Sequence, residues 1–228
     1  IRHAELLNAG GRVVQETRQQ FDSLDAAELF YEDGANLVAE AFNVAIPFVA
    51  PVYLLLEFSA DVDLASDIES HLAQSNFAGL SAVAQDELGR AKLWRLREEH
   101  TAAISMHGVP HKFDVTVAVS DLPKFIEKTR QGISETNADW TVFIFGHAAD
   151  GNMHVNVLGP SETDELVDEV VLQVVAEFKG SISAEHGIGS AKKKWLSLSR
   201  SQTEIDMMKA IKGALDPQGL MNPNTLFV

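Results

Sequence analysis

WTVFIFGHAADGNMHVNVLG, residues 140–159, decides how this chain folds. Two apolar, alternating runs meet at Asp150-Gly151, a dipeptide that favours the tight turn of a β-hairpin. With those two residues as the turn, His147 stands directly opposite His154. Period-2 alternation assigns Phe143, Phe145, His147, His154, Asn156 and Leu158 to one face, and Val142, Ile144, Val155 and Val157 to the other. Directly opposed residues have Cβ atoms roughly 4.5–5.5 Å apart, so the two imidazoles can converge on one ion. They can equally be satisfied by local hydrogen bonds on a half-buried sheet.

Upstream of the hairpin, HKFDVTVAV (111–119) alternates cleanly, with Phe113, Val115, Val117 and Val119 inward and Lys112, Asp114 and Thr116 on the other side. Leu122–Thr136, between these strands, is helical. Earlier, Val52–Phe58 is a continuous apolar run that predicts a buried strand, and Leu80–Ala84 predicts another. Helices are expected over residues 1–20, Gly34–Phe42, Asp63–Gln74 and, as one long charged helix, Glu87–Met106; Phe21–Phe30 is ambiguous. Downstream, Glu162–Phe178 is amphipathic, GSISAEHGIGS (180–190) is a loop, and Lys192–Ser197 and Gln202–Leu215 are helical. DPQGLMNPN closes the chain irregularly. The pattern is α+β: one ferredoxin-like antiparallel sheet with helices packed on one face, plus a C-terminal helical segment, in a single domain spanning 1–228.

Composition bounds the function. The chain has 228 residues, 46% hydrophobic and 22% charged, enough for a sizeable core. A net charge of −15 argues against nucleic acid, whose phosphates need a basic surface, but not against a small anion met by a few local cations. The absence of cysteine removes disulfides, thiolate ligands and a cysteine nucleophile, and suits a cytoplasmic setting, peripheral to a membrane or free of one. No apolar run approaches the roughly 20 residues of a membrane span. The first residue is Ile1 rather than Met, which suggests a chain cut at its N-terminus.

A metal site with an open position needs a third ligand beside His147 and His154, and the 180–190 loop offers Glu185 next to His186 among glycines that let the backbone approach a ligand. A turn carrying two solvated polar side chains fits the same residues. Neither GxxxxGK[ST] nor HExxH is present. Arg97 and Thr101 share a helix face and Lys112 stands on the non-core side of its strand; cations there would suit a carboxylate, but on so charged a helix spacing alone singles out none.

GHAADGNMHVN (146–156), GSISAEHGIGSAK (180–192) and LDPQGLMNPN (215–224), in that order, resemble the C-terminal cap or substrate domain of the FAD-linked oxidase family, the flavin-dependent D-2-hydroxy acid dehydrogenases that act on D-lactate, glycolate or D-2-hydroxyglutarate. The resemblance covers nearly the whole chain. It implies a divalent metal, usually zinc, held by His147, His154 and Glu185. It implies His186 as general base, substrate carboxylate held by Arg97, Thr101, Lys112 and Asn156, and flavin contact from the tail at Asn222. Ala149 stands where the family usually has Gly, and Asn224-Thr225 follows Asn222-Pro223 where the family commonly continues Gly-Lys. The family's N-terminal FAD-binding domain, and the cap's first strand with it, are expected to lie outside this chain. The implied reaction is oxidation of a 2-hydroxy acid to a 2-oxo acid with hydride transfer to FAD. The fragment alone is then inactive, and its partners are the substrate, its flavin domain, an electron-acceptor protein and, as an open option, further copies of itself. Two other classes compete: a metal-free α+β binding module, and a zinc hydrolase built on Glu185 and the histidines.

Overall fold

The computed structural model describes residues 13–59, 63–74 and 81–227. Residues 13–20 are helical (α1); the remainder of the helix expected over 1–20 lies outside the described residues. Next come β1 (Leu24–Tyr31), α2 (Glu32–Phe42), β2 (Val52–Phe58), α3 (Ala65–Ala73), α4 (Glu87–Glu98), α5 (His100–Ser105) and β3 (His111–Thr116). The chain continues with α6 (Leu122–Thr136), β4 (Thr141–His147), β5 (Asn152–Leu158), α7 (Leu166–Glu177) and α8 (Gln202–Leu215), with short 3-10 turns at Val119–Asp121 and Lys193–Leu198. Five strands form one antiparallel sheet in the order β2-β1-β4-β5-β3.

The α+β class therefore stands, and its connectivity explains where the site falls. β3 and β4 are joined through α6 and both pair antiparallel with β5, which lies between them. After α7 the chain returns to the free edge of β3, where Thr116 and Ser181 exchange backbone hydrogen bonds of 3.0 and 2.8 Å. This is the βαββαβ order of a ferredoxin-like unit with its fourth strand reduced to one bridge. Because the strand stops there, the chain turns outward and delivers the 180–190 loop to the edge of β3.

Helices cover both faces, not one. On the first face α6 contributes Phe125, Ile126 and Ile133, and α7 Val167, Val171, Leu172 and Val175, against Val115, Ile144, Val155 and Val157. Burying each such side chain contributes roughly 1.5–3 kcal/mol. The second face carries Phe30, Phe143 and Phe145, covered by Ala35 and Val38 of α2, Leu96 of α4 and Ala103 and Ile104 of α5. The cause lies in β4: its run Val142–Phe145 is apolar on both sides, so neither can be left to water.

Three other expectations change. Val52–Phe58 is a strand, but it lies at the sheet edge and only Tyr53 is fully buried. Residues 81–84 form no strand and are mostly exposed, while Leu80 lies outside the described residues. The long helix breaks at Glu99, so the shared face expected for Arg97 and Thr101 is lost: Arg97 is buried and Thr101 exposed.

The break inserts His100 into the second core, tilted against Phe145 and edge-on to Phe30 at centroid distances of 4.8 and 5.3 Å. Gly34 of α2 makes room for it, since a Cβ at Gly34 would stand 2.4 Å from His100 Nε2. Alanine there gains about 1 kcal/mol of helix propensity but overpacks a closed core, which costs typically 1–3 kcal/mol. Gly34→Ala is thus expected to lower stability by about 1 kcal/mol, and by no more than about 2, read as a fall in the urea midpoint at unchanged slope.

Candidate metal and substrate site

The hairpin places its faces as the alternation predicts, but its register is displaced by two residues. His147 pairs with Asn152 and Phe145 with His154. A two-residue type I′ turn at Asp150-Gly151 requires positive φ at both, and only Gly151 has it, at +78°. Asparagine and aspartate enter that region only at a cost, so the chain makes a four-residue loop over 148–151, closed by Gly151 N donating to His147 O at 3.1 Å. Gly151 is further required because a Cβ would stand 2.0 Å from Val117 O. Ala149 is absent from the positive-φ positions, so its methyl group is accommodated without backbone strain. A shift of two preserves every side chain's face, whereas a shift of one would have inverted them. The histidines are consequently diagonal neighbours, their rings 5.6 Å apart at 78°.

Each histidine is backed by a buried carboxylate from the next strand. Glu28 of β1, 3% exposed, accepts from His147 Nδ1 at 2.6 Å. Asp114 of β3, 2% exposed, places Oδ1 3.8 Å from His154 Nδ1. Asp114 also fastens the 180–190 loop: Oδ2 accepts from the backbone N–H of Glu185 at 2.7 Å and of His186 at 3.1 Å. Burial pushes the Asp114 carboxyl up, but those two N–H groups, with His186 and His154 nearby, outweigh it and hold the group below the usual carboxylate range. Burial, helped by the Arg97 guanidinium, pushes the His154 pKa down, against the opposing pull of Asp114.

Glu185 and His186 project from this anchored turn with side chains 55% and 69% exposed. Asn152 Nδ2 donates to Glu185 Oε1 at 2.7 Å, and His147 Nε2 lies 3.7 Å from the same oxygen. Two donors bound to one zinc at tetrahedral angles stand about 3.4 Å apart, given bond lengths of roughly 2.0–2.2 Å. His147 and Glu185 are near that separation, but among the described residues no group of three or more acidic or histidine side chains is closed tightly enough to hold an ion. The residues fit a metal in kind: two imidazoles, one carboxylate, and carboxylates behind the rings as outer partners.

Arg97 enters the same face from α4. Its Nε donates to Glu28 Oε2 at 2.7 Å and its Cζ lies 4.8 Å over the Phe145 ring. Lys112 is exposed on the Asp114 side of β3, directly across from Asn156, which is buried in β5. Asn222 sits apart in the exposed tail with φ of +46°, in a segment tied to the loop where Leu226 N donates to Gly189 O at 2.9 Å. The structure thus sets His147, His154, Lys112 and Asn156 on one face of the sheet, reached by Arg97 from α4 and by Glu185 and His186 from the loop beyond β3. It leaves Thr101 on an exposed helix surface. Sequence reasoning missed Glu28, Asp114 and Asn152; for the first two the available signal was a carboxylate flanked by apolar residues in a strand.

The pattern described as FAD linked oxidases, C-terminal domain, matches residues 4–226. This chain belongs to that family. Among its relatives, the D-2-hydroxyglutarate dehydrogenase of Stutzerimonas stutzeri (strain A1501) is 35% identical over 90% of the chain and 48% of its own length. That of Xanthomonas citri pv. viticola is 37% identical over 90% of the chain and 46% of its own. The mitochondrial D-2-hydroxyglutarate dehydrogenase of Rattus norvegicus is 30% identical over 88% and 39%. The chain therefore spans about half the length, or less, of these curated relatives. Among the described residues no helix is long and apolar enough to cross a membrane.

Proposed function

We propose that this FAD-linked oxidase C-terminal domain is the substrate- and metal-binding half of a flavin-dependent D-2-hydroxy acid dehydrogenase, acting on D-2-hydroxyglutarate, D-lactate or glycolate. The observation that carries the reading is the convergence of His147, Glu185 and His186 with Arg97 on one face, each held by a buried carboxylate. The family match and the printed names of the relatives support it. His147, His154 and Glu185 would hold a divalent ion, zinc by the family's habit. When bound, that ion would supply Lewis acidity toward the substrate's hydroxyl and carboxylate, and FAD held by a companion domain would take the hydride.

The chain's own residues do the rest. Arg97 and Lys112 supply two cations, which favours a dicarboxylate over lactate; Asn156 adds a polar contact, and Thr101 joins only if the helix break rearranges. Arg97 meets carboxylate through terminal nitrogens, since Glu28 occupies its Nε. His186, exposed beside Glu185, accepts the hydroxyl proton as hydride leaves C2. Asn222 would approach flavin from the tail. A cytoplasmic location and an electron-acceptor protein belong to the same proposal.

Zinc titration tests the metal half of it. The native chain should take up one equivalent, and His147→Ala or His154→Ala should abolish stoichiometric uptake. No uptake by native protein in zinc, manganese or cobalt moves the reading to a metal-free binding module. Turnover belongs to the complete protein: flavin bleaching by D-2-hydroxyglutarate supports the dehydrogenase, and hydrolysis without bleaching supports a zinc hydrolase.

A further inference from the structure

We infer that Glu28 is a positioning residue, holding the metal-side histidine and the substrate-side arginine of this site with one carboxylate; the inference rests on the reading above. Glu28 lies on β1 directly across from His147, in a seam where β1 and β4 share only two registered pairs, Glu28 with His147 and Leu29 with Gly146. One oxygen takes His147 Nδ1 at 2.6 Å and the other takes Arg97 Nε at 2.7 Å. Three elements, α4, β1 and β4, are thereby joined by a single side chain that is 3% exposed.

The chemistry of the contacts fixes what each partner presents. A carboxylate only accepts hydrogen bonds, so the proton on His147 resides on Nδ1. In the neutral ring this leaves Nε2 bare, and Nε2 is the atom that faces Glu185 Oε1 at 3.7 Å. On the other side, Nε is used up and the guanidinium is laid over Phe145, at 4.8 Å. The plane of a guanidinium follows its Nε bond, so the terminal nitrogens are set in one orientation and left for a ligand carboxylate. A stabilising ion pair alone would need only one of these partners, and a buried pair is weak evidence for stability in any case. The division of the two oxygens between an imidazole and a guanidinium points to alignment of both.

The test uses the full chain as native protein, Glu28→Gln and Glu28→Asp. Nitrogen-15 spectra of the histidine rings, taken without metal at about pH 8 where ordinary imidazoles are neutral, should show native His147 protonated on Nδ1. Glutamine keeps the shape but can accept from only one of two donors, so Glu28→Gln should shift a large share of His147 to the Nε2–H form. The Arg97 Nε–H signal, protected in native protein, should exchange rapidly with solvent. Zinc affinity, measured against a chromophoric chelator, should fall about 10–100-fold, as for other outer-sphere partners of ligating histidines. Glu28→Asp, which keeps the charge but shortens the reach, should lose less. Native tautomer and native zinc affinity in Glu28→Gln overturn the inference; if that variant does not fold, native zinc affinity in Glu28→Asp overturns it. A native chain that binds no zinc, yet loses the Nδ1 tautomer in Glu28→Gln, defeats the metal reading and leaves Glu28 as the residue that positions His147.

Discussion

His186→Asn in the complete, flavin-bearing protein should lower turnover about 10²–10⁴-fold, the usual contribution of a positioned general base, while leaving zinc content and fold intact. The structure separates these effects. The His186 side chain is 69% exposed, and Asp114 Oδ2 lies 4.0 Å from its Nδ1. Removing an imidazole so placed should change stability by no more than about 0.5 kcal/mol, the range of ordinary surface substitutions. The backbone N–H of His186 stays bonded to Asp114 in the variant, so Glu185 beside it keeps its place. Stopped-flow reduction of flavin by D-2-hydroxyglutarate, set beside zinc analysis and urea unfolding of the same preparation, checks all three. Turnover at the native rate would remove His186 from the proton-transfer role; zinc lost together with activity would make it a ligand or a support for one.

The loop that carries His186 owes its position to an arrested strand. Ser181 pairs once with Thr116, Ala184 N reaches Asp114 O at 3.1 Å, and the Asp114 side chain then takes the next two backbone N–H groups. Lys192 closes the turn from behind by donating to Ile182 O at 2.8 Å; burial pushes its pKa down, against the opposing pull of Asp114 and Asp168. Glu185 and His186 are therefore presented by fixed backbone, although their side chains stand in solvent.

Much of this was legible in the residues because the relevant signals are periodic. The faces of β3, β4 and β5 follow from alternation and survive the register error, since 148–151 is longer than a two-residue turn by two residues, an even number. Helices α6 and α8 span Leu122–Thr136 and Gln202–Leu215, the bounds expected from the residues. What could not be read is what depends on contacts between distant segments. Nothing local marks Glu28, 119 residues from His147, as its partner; the apolar neighbours of Glu28 in LDAAELFY hint at burial but not at what the carboxylate meets. Alternation put Phe143 and Phe145 on one face of β4 and Val142 and Ile144 on the other, but it does not say which helices cover each, so the second layer was not read. The break at Glu99 has no Gly or Pro to announce it, and it moves Thr101 to the surface while turning His100 inward.

That inward turn leads to the second large effect: the chain should lose about 3 kcal/mol of stability to His100 alone as pH falls from neutral to about 4. His100 is 1% exposed, its Nδ1 meets Arg97 O at 3.1 Å, and its Nε2 has no hydrogen-bond partner among the described residues. Burial, and then the Arg97 guanidinium, push its pKa down to about 4 from 6.5, against a smaller upward pull from the backbone of Arg97 and Leu96. The folded pKa is below the unfolded one, so the unfolded chain binds the proton first. Stability is therefore intact above about pH 6.5 and drains away as pH falls toward 4, where the folded form begins to charge as well. At 1.36 kcal/mol per unit the whole interval is worth about 3 kcal/mol, with about 2 of it lost by pH 5. Protonation of carboxylates adds its own share to acid unfolding, so the total acid sensitivity is not the measure. The difference between native protein and His100→Leu isolates the imidazole: urea unfolding at pH 7.5 and at pH 5 should show the variant losing about 2 kcal/mol less than native. Equal losses in the two proteins would mean that His100 is charged in the folded core, with its proton met by a group other than those now packed around it.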